Sequence, residues 1–277
     1  MILWIASYPK SGNTWVRLFL RSYFCKAEKQ FSINQKEADE FKINQFPNIN
    51  ILKEMNINYN NFLSISENWI SMQERINLNN KVNFLKTHNA MCTINNHKFT
   101  NKQNTAGIIY IVRDPRDIVI SYSHHLNQTY DQVIDGMLDS KNQELAQVKK
   151  ERFSSTILGK WSDHYNSWKN YGSENFLLIK YEDMLFDDIK IFRKILEYLN
   201  NTTGLLFDQS KMLKAIENTS FEKLQNQEKK FGFNEHTKST LFFRNGKIGD
   251  WKGKLSLKQV KRIEEGFNKE MKELGYL

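Results

Sequence analysis

Lys86 and His88 stand two residues apart at the end of the run Val82-Asn83-Phe84-Leu85. In an extended segment, side chains two apart point the same way. A neutral imidazole near its usual pKa can serve as a general base. The alternative is a strand-end histidine bonded to a backbone carbonyl. A second cation, Lys10, lies in Ser7-Tyr8-Pro9-Lys10-Ser11-Gly12-Asn13-Thr14, where Pro, Gly, Ser and Asn supply turn chemistry. A strand, a small polar loop and a helix aim backbone N–H groups at an anion, so the stretch reads as a phosphate or sulfate cradle. The lysine precedes the glycine and the first glycine of a Walker A loop is missing, so an ordinary turn with a surface lysine also fits. Arg113 ends the apolar run Gly107–Val112 and can make a forked contact to a phosphate, or pair with a carboxylate. Arg244-Asn245-Gly246-Lys247-Ile248-Gly249-Asp250-Trp251-Lys252 is a basic, glycine-punctuated loop. It can wrap an anion with backbone N–H groups, or be a surface turn.

These groups need elements to hold them. Ile2-Leu3-Trp4-Ile5-Ala6 reads as a buried strand, and Thr14 through Phe24 as a helix. Residues 82–88, 107–112 and 175–181 read as three more strands, and the ends of parallel strands are where open α/β sheets place chemistry. Asp114 and Pro115 make a helix start, with Ile118, Val119, Ser121, Tyr122 and Leu126 continuing the helix. Locally, Ser121 is a tolerated helix serine. Apolar residues at helical spacing predict helices over 62–78, 156–171, 187–200 and 257–274, with shorter ones around 210–216 and 220–227. Residues 31–61 read as loops and short helices, either a lid or acceptor wall or a surface elaboration. Residues 89–106 read as a loop that leaves His97 on the surface. Residues 131–152 read as helical and 231–240 as a mobile, charged segment.

Of the 277 residues, 40% are hydrophobic and 13% aromatic, enough for a substantial core and too many for a disordered chain. A net charge of +9 suggests an anionic partner, a small polyanion or a nucleic acid, with a solvated basic surface as the alternative. Cys25 and Cys92 make neither a disulfide framework nor a metal-ligand spacing. No leader is read ahead of the first strand, and no run approaches the ~18 apolar residues of a membrane span. A cytoplasmic protein is the expectation.

In this order, the pieces resemble the soluble sulfotransferases that use 3′-phosphoadenylyl sulfate (PAPS). Tyr8-Pro9-Lys10-Ser11-Gly12-Asn13-Thr14-Trp15 resembles their 5′-phosphosulfate loop, Lys86-Thr87-His88 their catalytic strand end, and Arg113 through Ser121-Tyr122 their 3′-phosphate motif. Tyr181-Glu182-Asp183, Thr219-Ser220-Phe221 and Arg244 through Lys252 match later family stretches. The resemblance spans essentially the whole chain. It implies a single domain over 1–277 with a three-layer α/β fold, a central mostly parallel sheet and a core like that of P-loop NTPases and kinases. It further implies that Lys10, Ser11, Gly12, Asn13 and Thr14 hold the 5′-phosphosulfate. Trp15 and Phe221 would sandwich the adenine, with Tyr181, Thr219 and Ser220 at its edge. Arg113, Ser121, Arg244, Asn245 and Gly246 would bind the 3′-phosphate.

The implied reaction is in-line sulfuryl transfer from PAPS to a hydroxyl, or an amine, of a small-molecule, lipid or sugar acceptor, leaving adenosine 3′,5′-bisphosphate (PAP). By analogy with phosphoryl transfer, positioning and electrostatics carry most of the catalysis. His88 would take the acceptor proton, Lys86 would neutralise the moving sulfuryl oxygens and Lys10 the leaving phosphate oxygen, with no metal. Departures from the animal members are Asn13 for a threonine and Asn245 for a lysine. The N-terminal extension that helps form their acceptor pocket is absent, so a different or more open acceptor site is expected. Their dimer stretch aligns with Lys252, Ser256, Leu257 and Lys261, where a cation replaces a carboxylate. That leaves the oligomeric state open. The competing classes are an ATP-using small-molecule kinase and a non-catalytic binder of nucleotides or nucleic acid. The first lacks Gly-Lys-Ser/Thr, and the second leaves the Lys86–His88 pair without a use.

Overall fold

Five short strands rich in branched and aromatic residues form one sheet: β1 (Ile2–Ser7), β2 (Ile43–Gln45), β3 (Asn83–Thr87), β4 (Thr105–Val112) and β5 (Phe176–Lys180). The computed structural model describes residues 1–25, 31–34, 41–148, 151–172, 175–235 and 241–277. The strand order is β2-β3-β1-β4-β5 and every neighbouring pair is parallel. A parallel sheet requires crossovers that cover both faces. Ile2, Trp4 and Ala6 of β1 turn to one face with Ile108, Tyr110 and Val112 of β4. There they meet α2 (Pro115–Leu126), α4 (Trp161–Lys169) and α8 (Leu257–Gly266) through Ile118, Trp168 and Ile263. Leu3 and Ile5 turn to the other face, against Phe19 of α1 (Asn13–Tyr23), Phe192 of α5 (Asp188–Thr203) and Met212 of α6 (Gln209–Asn218). Each Ile, Leu, Val or Phe among them, fully buried, contributes about 1.5–3 kcal/mol. The architecture is therefore the expected three-layer α/β fold.

The chain runs from β1 to one flank, through β2 and β3, then crosses to β4 on the other. This places a topological switch point at the carboxyl end of β1, between β3 and β4. The register brings Ile5 beside Lys86 and Ser7 beside Ile111, so the loops after all three strands open into one crevice.

Several expectations change. Residues 131–152 are not one helix. A capping box from Thr129 and Gln132 starts α3 (Tyr130–Leu138), but 143–148 and 151–157 form an antiparallel hairpin. The run Phe153-Ser154-Ser155-Thr156-Ile157 has no helical period and suits a strand. Its end and Gly159, at φ 62°, delay the next helix to Trp161. The 62–78 helix is broken at Asn68, and the C-terminal one at Phe267. Within 89–106, Thr93–Ile94 pairs with His97–Lys98 through Asn95 and Asn96, both at positive φ. Residues 43–45 add an edge strand that the sequence pattern does not signal, and Asn48 caps a short helix at 49–54. Residues 35–40 of the candidate acceptor wall and 236–240 of the charged segment lie outside the described residues. Among the described residues, no helix is long and apolar enough to cross a membrane.

Candidate active site

A cavity of about 590 Å³ opens where the five strands end, a volume typical of small-ligand pockets. The loop after β1 forms its floor. Lys10 at φ 65° and Gly12 at φ 100° turn this loop tightly enough to start α1 at Asn13. A Cβ on Gly12 would lie 2.6 Å from the Tyr181 ring, so glycine is required there twice over. Asn13 ties the loop down: its amide donates to Ile5 O at 3.0 Å and Ser7 Oγ at 3.3 Å. Ser11 is buried beneath, and its Oγ has no partner.

His88 sits across from this loop. Its Nδ1 lies 2.7 Å from the carbonyl of Ser7, an acceptor only, so Nδ1 carries the proton and Nε2 keeps the lone pair. The peptide that follows is equally fixed. His164 Nε2 donates to His88 O at 2.9 Å while its Nδ1 accepts from Tyr110 Oη, and Trp168 Nε1 donates to Asn89 O. Burial, then the neighbouring Lys86 charge, lowers the His88 pKa well below its ordinary value, outweighing the Ser7 carbonyl. The ring is therefore neutral around pH 7. It has both features of the proposed base and the carbonyl bond of the structural alternative.

Cations line the same cavity. Burial lowers the Lys10 ammonium to about 8, with Arg113 and Lys86 adding to the effect and Glu235 opposing it. Its Nζ lies 4.1 Å from the Phe242 ring centre. Arg113, at the tip of β4, stacks 4.2 Å over the Tyr181 ring and donates to Lys10 O at 3.2 Å. Its buried Nε has no partner. An unpartnered buried guanidinium N–H at this cationic cleft fits an anionic ligand.

Of the residues expected from the sequence, Lys10, Gly12, Asn13, Thr14, Trp15, Lys86, His88, Arg113, Ser121, Tyr181, Phe221, Arg244, Asn245 and Gly246 all line this cavity. Three do not. Ser11 lies under the loop, Ser220 precedes α7 (Phe221–Phe231), and Thr219 is buried with its carbonyl accepting from Trp15 Nε1 at 2.9 Å. Thr219 thereby orients the Trp15 ring, which meets Tyr181 and Phe192 edge-on. Gly246 packs so closely on Phe221 that a Cβ would lie 2.5 Å from its ring.

Sequence reasoning missed Asp117, Asp250, Arg17 and Glu235. Asp117, in the first turn of α2, is buried and accepts the backbone N–H groups of Gly249 at 2.8 Å and Trp251 at 2.9 Å. Asp250, held between them, accepts from Arg244 at 2.6 Å and Asn245 at 2.5 Å. The basic loop is thus moored to the helix that follows Arg113. Arg17 stands four residues after Asn13, a spacing that could have signalled its 2.9 Å bond to the Asn13 amide oxygen. Nothing in the sequence signals Glu235.

The model of the sulfotransferase domain family matches residues 2–275. The chain belongs to the sulfotransferase family. Luciferin sulfotransferase of Photinus pyralis is 23% identical over 280 residues, covering 94% of this chain and 69% of that protein. Amine sulfotransferase of Oryctolagus cuniculus is 28% identical over 181 residues, covering 62% of this chain but only 56% of that protein. Among solved structures, the mouse sulfotransferase SULT7A1 complexed with PAP has a TM-score of 0.62 at 23% identity, over 97% of this chain and 83% of that one. Retinol dehydratase in complex with androsterone and PAP has a TM-score of 0.61 at 16% identity, covering 98% and 80%. These two likenesses show that this sulfotransferase shares their fold.

Proposed function

We propose that this chain, as a single domain over 1–277, transfers a sulfuryl group from PAPS to a hydroxyl or amine of a small-molecule acceptor. The observation that carries the proposal is the convergence of Lys10, Lys86, Arg113 and a neutral His88 on one cavity. PAP in the mouse relative's structure supports the same nucleotide here. The buried Arg113 Nε, which has no partner at the cavity wall, supports an anion there.

When bound, PAPS supplies the sulfuryl group, and PAP leaves once the sulfur–oxygen bond to its phosphate has exchanged for one to the acceptor. His88 Nε2 takes the acceptor proton, and Nδ1 stays bonded to Ser7 O so that the ring cannot swing away. Lys10 and Lys86 counter the negative charge on the leaving phosphate and on the group in transit. Arg113, Ser121 and the moored loop at Arg244–Gly246 hold the 3′-phosphate, while Trp15, Phe221 and Tyr181 hold the adenine. The scheme uses no metal ion and no nucleic acid. Neither Cys25 nor Cys92 is in a disulfide, which supports a reducing, cytoplasmic setting.

The test is a thermal shift with PAP against ATP plus magnesium, followed by an acceptor screen. PAP at ~100 times its dissociation constant adds about 2.7 kcal/mol, several degrees in midpoint. A shift with ATP–magnesium alone would overturn the assignment in favour of a kinase. With an acceptor in hand, His88→Ala should abolish turnover and leave PAP binding nearly intact. Full activity in that variant would remove His88 as the base.

A further inference from the structure

Arg17 and Glu235, which the scheme above leaves unused, meet inside the cavity. Arg17 Nη1 donates to Glu235 Oε1 at 2.9 Å and Nη2 to Oε2 at 2.7 Å, a forked guanidinium–carboxylate pair. Thr14 Oγ1 donates to Oε2 at 3.1 Å and accepts from Arg17 Nη2 at 2.9 Å. Burial alone would raise the Glu235 pKa, but Arg17, then Lys86 and Thr14, pull it down to about 2. Glu235 in turn acts on Lys10. One carboxylate thus lies among Arg17, Lys86, Lys10 and the Thr14 hydroxyl.

That placement is built. Phe233, two residues earlier, is buried with Leu18, Phe31, Ile33, Leu224 and Phe243 in a small apolar cluster. Asn34 Oδ1 accepts the Asn234 N–H at 3.0 Å, and Asn34 Nδ2 donates to Gly232 O at 2.8 Å. Arg17 is fixed from the other side by its Nε bond to Asn13, and its side chain is 10% exposed.

We propose that Arg17 adds to the 5′-phosphosulfate loop beside Thr14 as a binding residue for the sulfuryl end of PAPS, and that the Glu235 carboxylate occupies this place as a stand-in anion until the co-substrate displaces it. The inference rests on the sulfotransferase assignment. Two carboxylate oxygens in an arginine fork stand where two of the three terminal oxygens of a tetrahedral sulfuryl group can stand, accepting from the same donors. The Thr14 hydroxyl has one proton, so it serves Glu235 or the co-substrate but not both. A carboxylate left among those cations would also repel the incoming group. Arg17 thereby joins Lys86 and Lys10 as a third cation facing the transferred group.

Calorimetric titration of PAPS and PAP into the full-length protein, Glu235→Gln and the double variant Arg17→Gln/Glu235→Gln tests this. Arg17→Gln alone is avoided because it strands the Glu235 charge. Glu235→Gln should tighten PAPS on the order of tenfold. PAP, which lacks the sulfuryl group, should change by less than about threefold. The double variant should lose the gain. An unchanged or weaker PAPS affinity in Glu235→Gln would overturn the proposal, as would equal tightening of PAP and PAPS or a double variant as tight as the single. If all three proteins fail to bind PAP, the sulfotransferase assignment itself falls. If they bind PAP normally but Glu235→Gln leaves PAPS unchanged, only the Arg17 site falls.

Discussion

Replacing Asp117 by asparagine should detach the basic loop from α2 and expose how the 3′-phosphate is recognised. The native carboxylate receives two backbone N–H groups, from Gly249 and Trp251, at 2.8 and 2.9 Å. A hydrogen bond to a charged acceptor is worth about 1.5–3 kcal/mol. Asparagine retains one neutral acceptor, worth about 1 kcal/mol, and turns an NH₂ group toward the second N–H. The net loss is about 2–5 kcal/mol at the mooring, or roughly 30- to 5000-fold if all of it must be restored on binding. Water can satisfy the freed N–H groups in the unbound loop, so the expected effect is the low end, about 30-fold in the PAP dissociation constant. The assay is calorimetric titration of PAP and, separately, of 5′-AMP, which does not engage Arg244 or Asn245 in the proposed pose. The 5′-AMP affinity should change by less than about threefold. PAP affinity equal to that of the parent, or equal losses for both nucleotides, would refute the mooring argument.

Three further outcomes are expected. Arg113→Ala should weaken PAP far more than 5′-AMP in the same titrations, because the guanidinium over Tyr181 is assigned to the 3′-phosphate; equal losses would show that assignment to be wrong. Gly246→Ala combines a φ of 57° with a Cβ 2.5 Å from the Phe221 ring. It should therefore weaken PAP about tenfold through strain and a displaced adenine platform, checked by titration beside the thermal midpoint. Burial lowers the His164 pKa to about 4. Below the usual histidine value near 6.5, the unfolded chain then binds the proton more readily than the folded one, so stability falls as pH drops through 6.5 toward 4. Between pH 7 and 5 this single buried ring removes about 2 kcal/mol, and His88 and His125 act in the same direction. Urea unfolding at the two pH values measures it, and a flat profile would show that these rings are not buried neutral.

What could be read in the sequence depended on how local the cause was. The strand 107–112, the Asp114–Pro115 helix start and the Lys10–Gly12 turn each carry their physics within a few residues, and the structure contains all three. Lys86 and His88 were legible as a pair because strand geometry alone relates residues two apart. The antiparallel strands at 143–148 and 151–157 depart from the helix expected over 131–152, since charge and polarity mask a backbone preference there. Asp117 was not legible, because its partners stand more than 130 residues away in sequence. Glu235 reaches Arg17 across 218 positions, and no periodicity records such a meeting.

The two ends of the cavity are anchored very differently. Arg113 and the floor loop hang from β4 and β1, strands paired on both sides. Ile43, Asn44 and Gln45 belong to β2, three residues paired to β3 alone at the sheet edge, yet they line the same cavity. Substitutions there disturb one short ladder and little core. The cavity therefore has one wall that can change with little cost to the sheet, beside a floor that cannot.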